Sequence, residues 1–369
     1  MIFRSKEITF TDDFIVIIME TNGDKDDLVL LHQKHAKFFQ RSLAVLPSSL
    51  ASYDSQRVTI AFFAISGLDI LDKISLVSDQ TESMIEWLYS CLVTSEKPET
   101  EHWSGFRGST ALRISESPGP GHVHDHGHIA MTYTALASLI ILGDDLSRIN
   151  RRALLAGVRA LQLPDGSFKA ALEGGENDMR FLYCAASICH ILDDWSGMDK
   201  DLAVQYVIKS ISYEGGIGQG PGLEAHGGST FCSVASLSLM GRLGDIGETR
   251  LENLTRWCLS RQVPASGLNG RPNKPEDTCY SFWIGATLSL LGKLDMIDYP
   301  AMRRFVLNTQ DAVTGGLAKW VDTQPDPLHT YLGLSGLGLN SEDGLMAVDP
   351  GLNISVRARA HLETIHSGW

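Results

Sequence analysis

The sequence has neither the net positive charge typical of nucleic-acid-binding chains nor the long apolar runs typical of membrane-spanning chains. Of its 369 residues, 31 are basic and 44 acidic, and the formal net charge of −13 argues against sequence-independent binding of nucleic acid. The apolar run FIVIIM (14–19) is too short to span a bilayer, and the acidic pair before it is the wrong flank for a signal peptide. We therefore expect a cytoplasmic protein with no membrane span and no nucleic-acid partner.

Two further absences narrow the fold. The six cysteines show no paired CxxC spacing, so we expect reduced thiols that are mostly buried as small apolar groups. Alternation of apolar and polar residues with a period of two is short and rare, which argues against a sheet core. The chain is 43% hydrophobic and 20% charged, as a folded protein should be. The expected fold class is all-α.

The strongest positive feature is an internal repeat. Glycine turns recur at Gly166, Gly216, Gly267 and Gly316, at separations of 50, 51 and 49 residues. Each turn is followed by a polar loop and then by a segment rich in small residues, such as STFCSVASLSLMG or TCYSFWIGATLSLLG. Earlier copies, HIAMTYTALASLIILG and TIAFFAISGLDIL, extend the pattern upstream. A fixed period of this size indicates a repeat architecture.

Each repeat is predicted to be a pair of helices. In RLENLTRWCLSRQ (250–262), Leu251, Leu254 and Trp257 recur with the helical period, which is typical of an outer helix with one buried face. The small-residue segments are apolar on several faces, as expected for inner helices surrounded by neighbours. Helix pairs stack into an open solenoid or close into an α-α barrel. In a barrel of five to six such pairs, the polar groups before each inner helix would meet at one mouth.

Those polar groups include a candidate metal site. Asp277, Cys279 and His329 offer oxygen, sulfur and nitrogen donors, which suit zinc. Three protein ligands would leave one position open, as in catalytic zinc sites. The alternative is a buried cysteine beside an aspartate that caps a helix, with no metal. The metal is favoured because Cys279 and His329 hold corresponding positions one repeat apart.

A second group of mouth residues suits a polyanion. His226, Arg271, Lys274 and Tyr280 combine cations with a phenol, and such groups stabilise diphosphate oxygens both before and during departure of a leaving group. The alternative is that Arg271 and Lys274 form a solvated turn, paired with Glu276 or Asp277.

Two other stretches contain candidate metal-binding or catalytic residues. HVHDHGH (122–128) reads as a mobile loop whose alternating histidines bind metal at most adventitiously, although His128 begins an inner helix. The acids of EGGENDMR (173–180) could be the paired carboxyls of a barrel glycosidase. We favour a helix cap at Asp178, with Arg180 pointing into the mouth.

The chain resembles the β subunits of the CaaX protein prenyltransferases, in particular those of the geranylgeranyltransferase type I branch. The motifs that carry the resemblance are TIAFFAISGLD, GHIAMTYTALASLIILGDDLSR, ENDMRFLYCA, HGGSTFC, GRPNKPEDTCYSFW and GGLAKW. It runs from about residue 32 to about residue 362. We therefore expect one barrel domain over 32–369, preceded by an extension (1–31) that matches nothing in that family.

The resemblance implies a partner and roles for particular residues. It implies a helical-repeat α subunit as partner. Zinc would be held at the positions of Asp277, Cys279 and His329. The diphosphate would bind at His226, Arg271, Lys274 and Tyr280. Arg180 would lie near the peptide substrate, and the pocket for the last CaaX residue would include His128, Ala130 and Phe181.

The resemblance also implies a substrate choice. It predicts transfer of geranylgeranyl from geranylgeranyl diphosphate to the cysteine of CaaX proteins such as Rho/Rac-type small GTPases, with X preferably Leu. Farnesyltransferases carry Trp where Thr59 stands, so Thr59 beside Phe63 would leave room for a fourth isoprene. They also carry a carboxylate near the position of Lys319 that recruits magnesium. Lys319 would replace that ion and assist catalysis without magnesium.

Aromatic side chains are expected to line the barrel, although each could equally be ordinary core. The candidates are Phe63, Tyr133, Tyr183, Phe231, Trp283 and Trp320. Other functions stay open at this stage: a farnesyltransferase β subunit, a terpene-cyclase-like barrel, or a non-catalytic helical scaffold. The Rab enzyme's β subunit matches ENDMRF and GRPNKP poorly.

Overall fold

The computed structural model of the protein describes residues 10–11, 14–15, 28–46, 48–94, 97–113 and 126–369. These residues form thirteen α-helices and three antiparallel pairs of two-residue strands. The helices are α1 (His32–Ala44), α2 (Arg57–Ile70), α3 (Thr81–Ser90), α4 (Ile129–Ile141), α5 (Arg151–Ala160), α6 (Met179–Ile191), α7 (Lys200–Lys209), α8 (Gly227–Leu239), α9 (Glu248–Leu259), α10 (Tyr280–Leu290), α11 (Tyr299–Asn308), α12 (Pro327–Leu339) and α13 (Val356–Ser367). The strand pairs are β1 (Phe10–Thr11) with β2 (Phe14–Ile15), β3 (Leu92–Val93) with β4 (Gly105–Phe106), and β5 (Val348–Asp349) with β6 (Ile354–Ser355). Within the described ranges, no helix combines the length and apolarity needed to cross a membrane.

Six inner helices form a closed ring. Each of α2, α4, α6, α8, α10 and α12 contacts the next in chain order, and α12 returns to α2. Their small residues permit this, since each inner helix is buried almost all round. The helices α3, α5, α7, α9 and α11 follow the inner helices along the chain and bury one face. The predicted all-α barrel of repeated helix pairs is confirmed.

Helix α1 completes the outer layer by joining the start of the domain to its last repeat. His35 is fully buried, and its Nδ1 accepts a hydrogen bond from the Gly316 backbone N–H at 2.9 Å. Its Nε2 must then carry the proton, which it donates to Gln310 Oε1 at 2.9 Å. Burial lowers the pKa of His35 to about 4. The neutral ring therefore fixes α1 against α11 and the turn that follows it.

The glycine turns pack against the next outer helix. Gly166 has a φ of +94°, and a Cβ at that position would collide with the carbonyl of Leu202 in α7. The left-handed conformation disfavours any side chain and the close approach leaves no room for one, so glycine is required at this position. The repeated glycines thus set the spacing between successive repeats.

The C-terminal segment closes the end of the ring at which the inner helices end. Tyrosine hydroxyls from three inner helices donate to three successive carbonyls: Tyr183 to Gly351 (2.9 Å), Tyr133 to Leu352 (2.6 Å) and Tyr331 to Asn353. At the start of α13, Arg357 pairs with the buried carboxylate of Asp69 near the end of α2, at 2.7 Å. The opposite end, where the inner helices begin, is the mouth.

Elsewhere in the chain, all six cysteines are unpaired and buried, as predicted. Of the predicted extension 1–31, the structure describes only the strands β1 and β2 and residues 28–31, so its boundary stays a prediction. Most of the FIVIIM run and two of the alternating histidines, His122 and His124, lie outside the described residues.

Candidate metal centre and mouth of the barrel

The polar groups at the mouth are there partly because inner helices need caps. The first backbone N–H groups of a helix have no partner within the helix. Side chains of His128, Asp178, His226 and Asp326 accept hydrogen bonds from them at the starts of α4, α6, α8 and α12. At α10, Asp277 Oδ1 accepts from the Cys279 N–H at 3.0 Å. The predicted cap at Asp178 is confirmed.

The structure brings the predicted metal ligands together. Ligand atoms of Asp277, Cys279 and His329 all lie within 4.8 Å of one another. Asp277 and Cys279 are each 7% exposed, and His329 Nε2 lies 3.3 Å from Asp277 Oδ1. One carboxylate, one thiol and one imidazole converge in a site nearly shielded from water. This donor set fits a zinc ion, with a position left for a substrate atom.

Sequence reasoning missed the residue that orients His329. Asp326 Oδ2 lies 2.6 Å from His329 Nδ1, and its Oδ1 accepts the His329 backbone N–H at 2.9 Å. The carboxylate places the proton on Nδ1, so Nε2 faces Asp277 and Cys279 as the potential ligand atom. The signal was present as DPLH, a capping Asp and a first-turn Pro ahead of the histidine.

His128 and His226 use their rings differently. In each, Nδ1 accepts a backbone N–H two residues later, at 3.2 Å from Ala130 and 3.1 Å from Gly228. Burial lowers the pKa of both histidines and so favours the neutral ring. Because Nδ1 accepts a hydrogen bond, the single proton of that ring is on Nε2. His226 Nε2 then donates to Tyr280 Oη at 2.8 Å, and the Tyr280 O–H is left to donate to a ligand.

The electrostatics of the triad are those of a site prepared for a cation. Burial lowers the pKa of His329, but the carboxylates of Asp277 and Asp326 outweigh it and raise the pKa to about 9. Burial raises the pKa of the Cys279 thiol, and the Asp277 charge raises it further. Burial also opposes ionisation of Asp277, yet hydrogen bonds from His329 and Cys279 lower its pKa overall. A bound cation would displace the protons of His329 and Cys279.

Lys319 lies at the edge of this centre. Its Nζ is 3.5 Å from Asp277 Oδ2 and 4.4 Å from the centroid of the Trp320 ring. Trp320 is 40% exposed, and its Nε1 donates to the Glu276 carbonyl at 2.7 Å. Trp320 therefore belongs to the rim of the mouth, and the structure does not support its place among the lining aromatics.

The predicted polyanion site is assembled in part. Arg271 pairs with Glu224, which lies one repeat earlier, and not with Glu276 or Asp277 as the alternative required. Burial first, and then the charge of Arg271, lowers the pKa of His226. The Gly270 carbonyl accepts the Gly227 N–H at 2.8 Å, and this bond holds the loop beside the His226–Tyr280 pair. Lys274 is exposed on the same loop. The loop thus carries two cations next to a phenol donor.

An aromatic row runs around the barrel interior. Ring centroids are 5.9 Å apart for Phe63–Phe62, 5.8 Å for Phe62–Tyr133, 5.4 Å for Tyr133–Tyr183, 5.2 Å for Tyr183–Phe231 and 5.0 Å for Phe231–Trp283. Five of the six predicted lining aromatics therefore join one row, through Phe62. Thr59 lies at the same side as Phe63 on α2, and its Oγ1 donates to Met131 Sδ at 3.2 Å.

The predicted peptide-pocket residues cluster where α4 and α6 begin. The rings of His128 and Phe181 are 6.1 Å apart, and Ala130 is held by its bond to His128. Arg180 binds Asp178, with Nη2–Oδ2 at 2.7 Å, and also Glu176. Its guanidinium is therefore fixed at the mouth by two carboxylates rather than extended freely into it.

Comparisons with known proteins agree with this architecture. Residues 30–354 match the model of the prenyltransferase alpha-alpha toroid domain. The chain belongs to this family. It is 39% identical to the geranylgeranyl transferase type-1 subunit beta of Dictyostelium discoideum, over 88% of this chain and 95% of that protein. The corresponding subunit of Arabidopsis thaliana is also 39% identical, with 88% and 89% covered.

A solved structure of a related enzyme has the same fold as this chain. Candida albicans protein geranylgeranyltransferase-I complexed with GGPP superposes with a TM-score of 0.81 at 26% identity, covering 91% of this chain and 99% of that one. The predicted resemblance to type I geranylgeranyltransferase β subunits is confirmed.

Proposed function

We propose that the chain is the catalytic β subunit of a protein geranylgeranyltransferase type I. It would transfer the geranylgeranyl group of geranylgeranyl diphosphate to the cysteine of a C-terminal CaaX motif as a thioether. The observation that carries this proposal is the buried Asp277–Cys279–His329 triad beside the His226–Tyr280 pair, in a chain of this family. Thioether formation is a displacement in which the thiolate attacks as the diphosphate leaves, so the metal site and the diphosphate site must be neighbours.

Asp277, Cys279 and His329 would hold zinc. Zinc, when bound there, supplies the positive charge that lowers the pKa of a substrate thiol. Asp326 keeps the His329 ring oriented through Nδ1, and the low exposure of Asp277 and Cys279 keeps competing water away. No side chain of the protein needs to act as nucleophile.

The cations of the mouth would hold the leaving group. As the bond from C1 to the diphosphate oxygen breaks and the bond to sulfur forms, negative charge grows on the diphosphate. The Tyr280 O–H, kept free by His226, can donate to it, and Arg271 and Lys274 supply charge. Fixed donors of this kind stabilise the transition state without reorganising.

Lys319 is proposed to take the place of a magnesium ion. It lies at the edge of the metal centre, where its Nζ is 3.5 Å from Asp277 Oδ2. In catalysis it would turn from Asp277 to the diphosphate, which would make added magnesium unnecessary.

The barrel interior would hold the isoprenoid, and Thr59 with Phe63 would set its length. The aromatic row offers an apolar wall, and the small Thr59 side chain leaves space that an indole would fill. The identity to type-1 subunits at 39% favours the geranylgeranyl group over the farnesyl alternative.

The peptide would enter at Arg180, with its last residue near His128, Ala130 and Phe181. The substrates would be CaaX proteins such as Rho/Rac-type small GTPases, with Leu preferred at the end. We further propose a helical-repeat α subunit as partner, a cytoplasmic location, and a single catalytic domain over 32–369.

A transfer assay with the purified α/β complex tests this function. It compares geranylgeranyl and farnesyl diphosphate on two peptides that differ only in a final Leu or Met, with zinc added and magnesium present or absent. We expect geranylgeranyl transfer to the Leu peptide without magnesium. Thr59→Trp should shift the preference toward farnesyl diphosphate, with Thr81→Trp on the outer helix α3 as a bulk-matched control.

The outcomes are distinct. Magnesium-dependent farnesyl transfer would contradict the roles of Thr59 and Lys319 while leaving the zinc site in place. Absence of any transfer from a complex that contains zinc would contradict the proposed function itself.

A further inference from the structure

A cleft lies on the outside of the barrel, against the outer helix α9. It has a volume of about 320 Å³, and its lining includes Glu214, Arg256, Trp257, Ser260, Arg261 and Pro272. Trp257 belongs to the outer helix α9, and Arg261 follows directly after that helix. The volume is within the range of small-ligand sites, at the lower end of about 300–1,000 Å³.

Arg261 is a buried cation in this cleft with one N–H group that has no partner in the described part of the chain. It is only 6% exposed, and burial lowers its pKa. Its Nε donates to the Trp257 carbonyl at 3.3 Å and its Nη2 to Ser260 Oγ at 3.2 Å. Its Nη1 has no hydrogen-bond partner among the described residues. The charge of Glu214, which also lines the cleft, opposes the effect of burial but does not outweigh it. A buried cation with an unpaired N–H group is costly, so an anion that pairs with Nη1 would stabilise the site.

Trp257 adds a second donor without a partner. It is 4% exposed, its ring lies 4.8 Å from the Arg261 guanidinium carbon, and its Nε1 makes no hydrogen bond within the described residues. Indole and guanidinium groups are donors only, so a ligand must bring acceptors. The planar fork of a guanidinium matches the geometry of a carboxylate, which can accept two parallel hydrogen bonds.

We propose that this cleft binds a carboxylate, with Arg261 and Trp257 as its donors. Arg256 and Ser260 are exposed, and a small movement of these side chains would open the covered donors to a ligand. Tyr213 stands 98% exposed beside Glu214, so the neighbourhood also offers an aromatic contact. The carboxylate can come from a free small molecule or from an acidic side chain of a protein. The proposal does not depend on the function of the mouth.

Thermal unfolding of the full-length protein tests the proposal at constant ionic strength. The probes are acetate against chloride, and a short peptide with one Asp against the same peptide with Asn. Bound ligand raises the melting temperature with concentration, which gives an apparent Kd. Arg261→Gln should weaken acetate or Asp-peptide binding by about 10- to 100-fold, as expected for loss of a charge-assisted bond. Arg256→Gln, which removes an exposed arginine of the same cleft, should retain most of it.

Trp257→Phe keeps an aromatic ring but removes the indole N–H and the five-membered ring that carries it, so it gives a second test if Arg261→Gln folds poorly. It should weaken binding by about threefold or more. A response to both probes shows that a free carboxylate suffices, and a response to the Asp peptide alone points to an acidic protein segment. Equal responses to acetate and chloride with no effect of the Asp peptide would overturn the proposal. So would an unchanged response in both the Arg261 and Trp257 variants.

Discussion

At the residue scale, the way in which each inner helix is capped decides which ring nitrogen a histidine at the mouth can present to a ligand. His128 and His226 cap their own helices through Nδ1, whereas α12 is capped by Asp326 and its histidine is free to present Nε2. The sequence predicted the metal ligands because Cys279 and His329 hold corresponding positions in successive repeats, and Asp277 lies two residues before Cys279. It did not predict Asp326, because capping and ring orientation depend on side-chain geometry that spacing alone does not encode.

Asp326→Asn should weaken zinc binding while leaving the fold intact. Asn caps helices about as well as Asp, but its amide is a poorer acceptor for the His329 Nδ1–H. Loss of such an outer partner reduces metal affinity by about 10- to 100-fold. Competition with a chromophoric chelator measures the affinity.

Asp298→Asn is the matched control for that variant. Asp298 caps α11, its Oδ1 accepting from the Ala301 N–H at 3.0 Å. This control should bind zinc as the unaltered protein does. Equal zinc affinity in the two variants would show that Asp326 acts only as a cap.

At the element scale, the repeat made most of the fold predictable. The small-residue segments became inner helices and the segments with one apolar face became outer helices, as their periodicity indicated. What the pattern could not show was the role of α1, whose contacts with Gln310 and Gly316 join residues far apart in the chain. Nor could it place Trp320, whose position depends on how the loop before α12 folds.

Gly166→Ala should destabilise the protein more than Gly143→Ala does. Both glycines have positive φ, +94° and +87°, but an added Cβ meets the Leu202 carbonyl at Gly166 and nothing within 4 Å at Gly143. The strained backbone alone costs about 1 kcal/mol, and the collision adds to it. Urea unfolding of both variants gives the comparison. Equal losses would mean that the turn has room to relax.

His35 should make stability depend on pH. The unfolded histidine takes up a proton near its ordinary pKa of 6.5, whereas the folded one resists until about 4. Between these values the unfolded state binds more protons, so stability is complete above about pH 6.5 and falls as the pH drops toward about 4. The loss by pH 5 should be about 2 kcal/mol.

His35→Gln isolates this contribution, since the other titrating groups are common to both proteins. Urea unfolding at pH 7.5 and pH 5 should show a smaller loss of stability in the variant, by about 2 kcal/mol. The same loss in both proteins would rule out His35 as the source.

At the scale of the whole molecule, ring closure turns separate loops into one site. Asp277 and His329 belong to successive repeats, and they meet because α10 and α12 are neighbours in the ring. The closing segment 351–353, tied to three inner tyrosines, seals the opposite end. The chain is strongly acidic, so the cations at the mouth form a local exception suited to a charged leaving group.

The zinc content of the purified complex tests the central claim most directly. We expect about one zinc per chain in the unaltered protein and in Cys258→Ala, which removes another buried thiol, and none in Cys279→Ala. Transfer activity measured on the same samples should follow the metal. Zinc retained by Cys279→Ala, or absent from an active unaltered complex, would contradict the account.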